Sequence, residues 1–210
     1  AATDHQQMGV GPTGQEARHR GDEIVEPFII VEGADEADDI GIDQPEIVAM
    51  IRAHHERHDG SGYPLQLSGS LIPLPGRMLG LIDTFDALCS ERPHQPAMSR
   101  HDALQWLYRQ RDRLFQAELI EQFSQSLGVY PTGTLVQLST GEVAMVMAQN
   151  PSRRLYPRVT VLTRPDKSLD PAFRQVDLWL LANTQGNTRV VIERALPPGA
   201  HGLNVSELYL

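Results

Sequence analysis

One short stretch of the chain carries most of the residues that could do chemistry. The sequence HHERHDGSGYP at residues 54–64 places three histidines and two carboxylates within six positions, and a glycine-rich turn follows. Imidazole is the commonest side-chain ligand of transition metals, and a ligand ring usually donates its second N–H to an acceptor. Glu56 and Asp59 are the candidate acceptors. A solvated polar patch is the other interpretation of a histidine pair, so the pair alone does not establish a metal site.

A helix predicted over residues 45–58 must position these histidines. Apolar residues recur at helical spacing after Pro45, namely Ile47, Val48, Met50 and Ile51. On such a helix His54 and His55 lie about 100° apart, so both rings can serve one site from neighbouring directions. The glycines and the proline of residues 60–64 predict the end of the helix and a turn.

The whole string is more specific than its histidines, because HHExxDGxGYP resembles the signature of the HD-GYP family. Members of that family are metal-dependent phosphohydrolases that act on cyclic di-GMP. A second segment, DTFDAL at residues 83–88 followed by Arg92-Pro93, is similar to the family pattern D-x-[FY]-D-A-L…R-P-Y. The run GVYPTGTLV at residues 128–136 looks like the start of a β-rich extension found behind some HD-GYP domains.

The resemblance implies a site of closely spaced divalent metal ions, iron or manganese, held by histidines and carboxylates on a helical bundle. His54 and His55 match the two adjacent ligand histidines, and Asp83 matches a later ligand aspartate. An aspartate between apolar neighbours needs a partner if it is buried, and a metal ion would provide one. Such ions lower the pKa of water toward ~7 and offset phosphoryl charge. The implied reaction is hydrolysis of cyclic di-GMP to pGpG or GMP.

The resemblance also implies a substrate-binding loop. Gly62, Tyr63 and Pro64 match the GYP element, which shapes that loop and contacts partner domains such as a diguanylate cyclase. Arg92 matches the arginine of R-P-Y and would be a bidentate phosphate clamp. A surface arginine at a helix end is the other interpretation of Arg92.

The upstream part of the sequence departs from the family. No His-Asp pair occurs before residue 58, whereas the family carries such a dyad well ahead of its HHE motif. Two histidines are candidate remnants of it: His5, which is followed by Gln6 in place of an aspartate, and His19, which resembles the middle ligand histidine. A dinuclear site needs roughly six or more protein ligands. The metal site is therefore expected to be dinuclear or mononuclear, according to what replaces the dyad.

The predicted fold is mainly α, a partial HD-type helical bundle followed by a small antiparallel β-rich C-terminal extension. Residues 1–44 are interpreted as an irregular or degenerate N-terminal part, 45–128 as the helical core and 129–210 as the extension. Further helices are predicted at 77–88, 100–113 and 116–127, and strands at 135–138, 143–147, 157–162 and 175–181. Ser99 is expected to cap the second of these helices in a capping-box arrangement with Asp102.

Composition limits the class of protein. The net charge of −9 argues against a general DNA-binding surface, although a small nucleotide needs only a few local cations. No apolar run reaches the length of a membrane span, so a cytoplasmic location without a membrane partner is expected. The single cysteine, Cys89, excludes an intrachain disulfide and a cysteine-based zinc cluster.

Two functional hypotheses from different classes follow. The first is a metal-dependent cyclic di-GMP phosphodiesterase. The second is a catalytically inactive regulator that binds cyclic di-GMP or docks on a diguanylate cyclase domain through the GYP loop, and the missing His-Asp pair motivates it. A hydrolase of another phosphorylated nucleotide is a third possibility, because no residue singled out above reads guanine.

Overall fold

The computed structural model describes residues 44–93, 95–183 and 189–204. Five α-helices and five strands occur in these ranges: α1 (Pro45–Ala53), α2 (Leu74–Cys89), α3 (Arg100–Arg109), α4 (Ala117–Leu127), β1 (Leu135–Leu138), β2 (Val143–Ala148), β3 (Arg158–Val161), β4 (Gln175–Asp177), α5 (Leu178–Ala182) and β5 (Ile192–Leu196). The predicted architecture, a helical HD-type part followed by an antiparallel β-rich extension, is confirmed. His5 and His19 lie outside the described residues.

Helix α1 starts with Pro45 in its first turn, as predicted, but it ends at Ala53 rather than at residue 58. The reason is a long-range interaction. The backbone N–H groups of His58 and Asp59 donate to the carbonyls of Leu114 and Arg113, both at 2.9 Å. Those donors therefore bind the α3–α4 loop and do not continue the helix. The histidines consequently lie in a turn at the end of α1.

Helix α2 packs closely against this turn because two glycines face it. A Cβ on Gly76 would lie 2.8 Å from the Cβ of Ala53, and a Cβ on Gly80 would clash with the carbonyl oxygen of His54. Asp83 follows Gly76 and Gly80 at helical spacing and so lies on the same face of α2. The two glycines thus bring the helix that carries Asp83 against the histidine turn.

Helix α3 begins as predicted, with the Ser99 side chain accepting a hydrogen bond from the Asp102 N–H at 3.1 Å. It ends at Arg109 rather than at residue 113. The carbonyl of Gln110 accepts from Arg113 and Leu114, and Asp112 has a φ of +56°, which a right-handed helix does not contain. A tight turn therefore replaces the predicted last turn of the helix.

The strands form one antiparallel sheet in the order β4-β3-β2-β1-β5. Side chains alternate between two buried clusters, as a sheet covered on both faces requires. One cluster contains Val136, Leu138, Ala144, Val146, Val159, Val161, Leu178 and Val190, and the other contains Leu135, Val143, Met145, Leu162, Leu196 and Leu203. The run at residues 190–192 leads into β5, which lies beside β1.

The predicted strand at residues 175–181 is wrong in its second half. After β4 the chain turns into α5, because the Asp177 carboxylate accepts hydrogen bonds from the N–H groups of Trp179 and Leu180. An aspartate that caps a helix start competes with strand formation. Among the described residues, no helix combines the length and the apolar character that crossing a membrane requires.

Candidate metal and substrate site

His54 and His55 lie side by side in the turn after α1, with ring centroids 3.9 Å apart and planes at 38°. The Nδ1 of His54 lies 2.5 Å from the carbonyl oxygen of Ile51. A carbonyl only accepts hydrogen bonds, so Nδ1 carries the proton, and in the neutral ring Nε2 carries the lone pair. This is the arrangement in which a backbone acceptor sets the tautomer of a ligand imidazole.

One ring nitrogen of His55 does not stabilise the fold through a hydrogen bond. Its Nε2 is buried and has no hydrogen-bond partner within the described part of the chain. Burial, and after it the electrostatic effects of His54 and Arg57, lower the pKa of His55 to about 4, against a smaller raising effect of Asp83. At neutral pH the ring is therefore uncharged. An uncharged imidazole with an unpaired buried nitrogen is suited to bind a metal ion.

Glu56 and Asp59 do not hold the imidazoles, so the prediction that they accept from ligand histidines is wrong. Glu56 is 4% exposed, and its two carboxylate oxygens accept from the N–H groups of Leu65 at 2.7 Å and Leu67 at 2.9 Å. Asp59 instead accepts from the backbone and the hydroxyl of Ser61, at 3.0 and 2.6 Å. Glu56 fastens the loop that follows the GYP element, and Asp59 shapes the turn that precedes it.

The GYP element packs directly against the histidines. A Cβ on Gly62 would lie 2.5 Å from the His55 carbonyl oxygen and would clash with the Arg57 nitrogen, so only glycine fits there. The Tyr63 ring stacks on the His55 ring with centroids 4.7 Å apart and planes at 22°. Tyr63 and Pro64 are exposed. Residues 62–64 therefore form a partly exposed wall beside His55.

Arg57 is a residue that sequence reasoning missed. It is only 8% exposed, donates to the carbonyls of His54 and Glu56 at 3.1 Å, and lies over the Phe115 ring at 5.4 Å. Its position in the motif gave no signal, because its burial depends on the α3–α4 loop, which is distant in the sequence. Arg57 braces the histidine turn and keeps a positive charge beside His55.

Asp83 is half-buried on α2, and its charge acts on His55. Arg92 lies beyond the end of α2, in a tight turn in which its backbone pairs with that of Gln95. Within the described residues, no side-chain hydrogen bond or ion pair joins Arg92 to His54, His55 or Asp83. The structure thus places Asp83 where its charge acts on His55, and the clamp role of Arg92 stays a prediction.

The described residues supply only part of a metal-ligand set. Over residues 44–93, 95–183 and 189–204, no three histidine, cysteine, aspartate or glutamate side chains form a cluster that could hold a metal ion. Burial raises the pKa of the Cys89 thiol to about 11, so this thiol stays protonated at neutral pH. The donor types and the unpaired Nε2 of His55 fit a metal ion. Completing its coordination requires further ligands.

Comparison with known proteins agrees with the motifs. The sequence model of the HD domain family matches residues 42–119, which contain His54, His55, the GYP element and Asp83. The match leaves out residues 1–41, where His5 and His19 stand.

Curated relatives share parts of the chain. A cyclic di-GMP phosphodiesterase of Pseudomonas aeruginosa is 34% identical over 138 residues, 66% of this chain and 33% of the relative. A cyclic di-GMP phosphodiesterase response regulator of Xanthomonas campestris pv. campestris is 50% identical over 68 residues, 32% of this chain and 18% of the relative. A 3'3'-cGAMP-specific phosphodiesterase of Vibrio cholerae is 47% identical over 51 residues, 24% of this chain and 12% of the relative. The matched part of this chain thus spans a third or less of each of these proteins. Residues 42–119 thus match the HD domain family, and the resemblance of the chain to HD-GYP proteins is confirmed.

Proposed function

We propose that this chain is a metal-dependent phosphohydrolase that acts on cyclic di-GMP, with hydrolysis of one phosphodiester bond giving pGpG and hydrolysis of both giving GMP. The observation that carries the proposal is the buried Nε2 of His55, which has no partner in the described part of the chain and belongs to a ring kept neutral by its surroundings. The names of the Pseudomonas and Xanthomonas relatives support the substrate.

His54, His55 and Asp83 would hold a divalent ion, iron or manganese, with further ligands from His19 or His5. Bound there, such an ion supplies a water of lowered pKa and charge that offsets the phosphoryl oxygens. Whether one or two ions bind depends on how many ligands residues 1–43 contribute. The Ile51 carbonyl directs the lone pair of His54 to Nε2, and Arg57 opposes protonation of His55.

The loop supplies the binding surface in this proposal. Tyr63 is 39% exposed and stacks on His55, so one ring edge faces solvent next to the proposed metal ligands. Aromatic rings bind nucleobases by stacking, which is worth about 1–3 kcal/mol per base. Glu56 holds the loop in place through two backbone N–H groups, so the surface is ordered before substrate arrives. Arg92 would bind a phosphate of the substrate.

The test is turnover of cyclic di-GMP under anaerobic conditions, after reconstitution with Fe(II) or Mn(II). We expect product from the parent chain and none after treatment with a chelator. His55→Ala should lose turnover, whereas His201→Ala, which removes an exposed histidine from the C-terminal extension, should keep it. Absence of product from a parent chain that has bound metal would contradict the proposal.

The Vibrio relative suggests a competing substrate, because its name assigns it to 3'3'-cGAMP. Both cyclic dinucleotides carry the same phosphodiester linkages and differ in one base. Turnover of the two should therefore be compared on the same preparation. A higher kcat/KM for 3'3'-cGAMP would keep the proposed chemistry and change the substrate.

A docking role for the GYP loop is the second candidate function. Two leucines near this loop, Leu65 and Leu71, are 70% and 69% exposed, and a partner protein that covers the loop would remove their apolar surface from water. The proposed partner is a diguanylate cyclase domain. Leu65→Asp together with Leu71→Asp should abolish co-purification with such a domain and leave metal binding intact. Equal co-purification by both forms would exclude this surface.

A further inference from the structure

One cavity of the structure lies away from the motifs described above. It occupies about 580 Å³ between α3, α4 and the loop that joins β2 to β3. Residues that line it include Leu104, Gln105, Tyr108, Arg109, Gln125 and Arg154. Its volume falls within the range of about 300–1,000 Å³ that is typical of small-molecule sites. None of its lining residues belongs to the histidine turn, the GYP element or the Asp83 segment.

The charges around this cavity favour an anion. Arg109 lines it from α3 and Arg154 from the β2–β3 loop, so two arginines border the cavity from different elements. Within the described residues neither arginine forms an ion pair. Glu121 is the one acidic residue among the described lining residues. Guanidinium groups bind phosphate oxygens through paired N–H donors, so phosphate is the anion that best suits a cavity lined by two arginines.

The remaining walls suit a planar ring. Tyr108 is 44% exposed, and the Arg111 guanidinium lies 3.7 Å from the centre of its ring. Leu104 adds apolar surface, while the side-chain amides of Gln105 and Gln125 offer both donors and acceptors. Apolar walls with a few amide groups are characteristic of sites that bind heterocyclic rings.

His101 holds one wall of the cavity in place. Its Nδ1 donates to the Val129 carbonyl at 2.7 Å, its Nε2 lies 2.7 Å from the Gln105 amide nitrogen, and its ring stacks on Tyr130 at 4.8 Å. These contacts tie α3 to the segment that follows α4. This wall is therefore ordered before a ligand binds. Little conformational entropy is lost on binding, and the affinity is higher for that reason.

We propose that this cavity binds a nucleoside monophosphate, with its phosphate between Arg109 and Arg154 and its base against Tyr108. The site is separate from the proposed metal site, and binding there requires neither metal nor turnover. It would let the level of a mononucleotide act on the segment that joins the helical part to the sheet.

Binding to the full chain, with metal removed by a chelator, tests the proposal by calorimetry. The probes are 5'-GMP, guanosine and inorganic phosphate. We expect saturable binding of 5'-GMP, and binding of guanosine and of phosphate weaker by about tenfold or more, because each lacks one of the two recognised groups. No saturable binding of 5'-GMP would overturn the proposal, and so would phosphate binding as tightly as the nucleotide.

A pair of neighbouring arginines provides matched variants. Arg154→Gln should weaken 5'-GMP binding about tenfold or more, whereas Arg153→Gln should change it less than about twofold. Arg153 lies over the Trp179 ring at 4.6 Å and does not line the cavity, yet its replacement removes the same charge.

Equal weakening of 5'-GMP binding by both variants would show only a general charge effect and overturn the site. Weakening by His55→Ala as large as that by Arg154→Gln would place the nucleotide at the metal site and overturn it as well. Both arginines are exposed, and thermal unfolding of each variant checks that it folds.

Discussion

Two histidine–tyrosine pairs in this molecule have nearly the same stacking geometry, but the ring nitrogens of the two histidines differ in their hydrogen bonds. His55 stacks on Tyr63 at 4.7 Å with planes at 22°, and His101 stacks on Tyr130 at 4.8 Å with planes at 24°. Both ring nitrogens of His101 have partners, the Val129 carbonyl and the Gln105 amide. The Nε2 of His55 has none within the described residues. The difference separates an imidazole that stabilises the fold from one that remains available to a ligand.

The first prediction, which has the largest expected effect, compares alanine substitutions of the two histidines. His55→Ala should reduce cyclic di-GMP turnover by at least about a hundredfold, because a metal ligand is lost, and should cost little stability in the metal-free protein. His101→Ala should keep turnover within about threefold and lower the free energy of unfolding by about 1–2 kcal/mol, because it leaves the Val129 carbonyl unpaired. Turnover assays and urea unfolding measure both. Similar turnover in the two variants would remove the distinction.

The second prediction concerns the packing that brings Asp83 to the histidine turn. Gly80→Ala should destabilise the protein by about 3 kcal/mol and reduce turnover, because its Cβ would clash with the His54 carbonyl oxygen. Gly199→Ala is the control, since nothing lies within 4 Å of its Cβ and only its φ of +76° is unfavourable. The control should lose about 1 kcal/mol and keep turnover. A smaller loss for Gly80→Ala than for Gly199→Ala would show that α2 can move away without cost.

The third prediction tests whether Glu56 holds the loop rather than a histidine. Glu56→Gln keeps one oxygen acceptor and places an NH₂ group opposite the other backbone N–H, so one of the two hydrogen bonds is lost. We expect a loss of about 1–3 kcal/mol of stability and faster hydrogen exchange at Leu65 and Leu67. Metal affinity should stay within about threefold. Unchanged exchange with a large loss of metal would instead make Glu56 part of the ligand shell.

The fourth prediction concerns the pH dependence of the stability of the metal-free protein. The pKa of His55 is about 4 in the folded chain, below its ordinary value of 6.5, so the unfolded state binds more protons between these pH values. The contribution of His55 to stability is therefore complete above pH 6.5 and is lost as the pH falls toward 4. His55→Gln should flatten this part of the stability curve. A histidine NMR titration with a midpoint near 6.5 for His55 would contradict the expected burial.

The motifs predicted which segments lie at the site better than they predicted the hydrogen bonds that its residues make. The GYP string predicted a loop, which lies beside His55, and the DTFDAL segment predicted a role for Asp83, whose charge acts on His55. Neither the end of α1 nor the role of Glu56 could be read from local sequence. Both depend on backbone groups far along the chain, those of Arg113 and Leu114 for the helix end and those of Leu65 and Leu67 for the carboxylate. Burial of Arg57 has the same cause, since Phe115 covers it.

In the β-rich extension, too, the sequence pattern predicted some elements correctly and one element only in part. Alternation predicted β1, β2 and β3, because their side chains point to two buried faces. Asp177 stops the next strand by capping α5, although the apolar run continues to Leu181. A periodic pattern indicates which residues are buried, and a single cap decides the backbone geometry.

Mn(II) binding to the full chain, measured by calorimetry, tests the central claim that His55 is available to a metal. We expect saturable binding by the parent, a loss of at least about tenfold in affinity for His55→Ala, and no change for His201→Ala. Equal Mn(II) affinity of the parent and His55→Ala would contradict the claim, and the unpaired nitrogen of His55 would then have no role in metal binding.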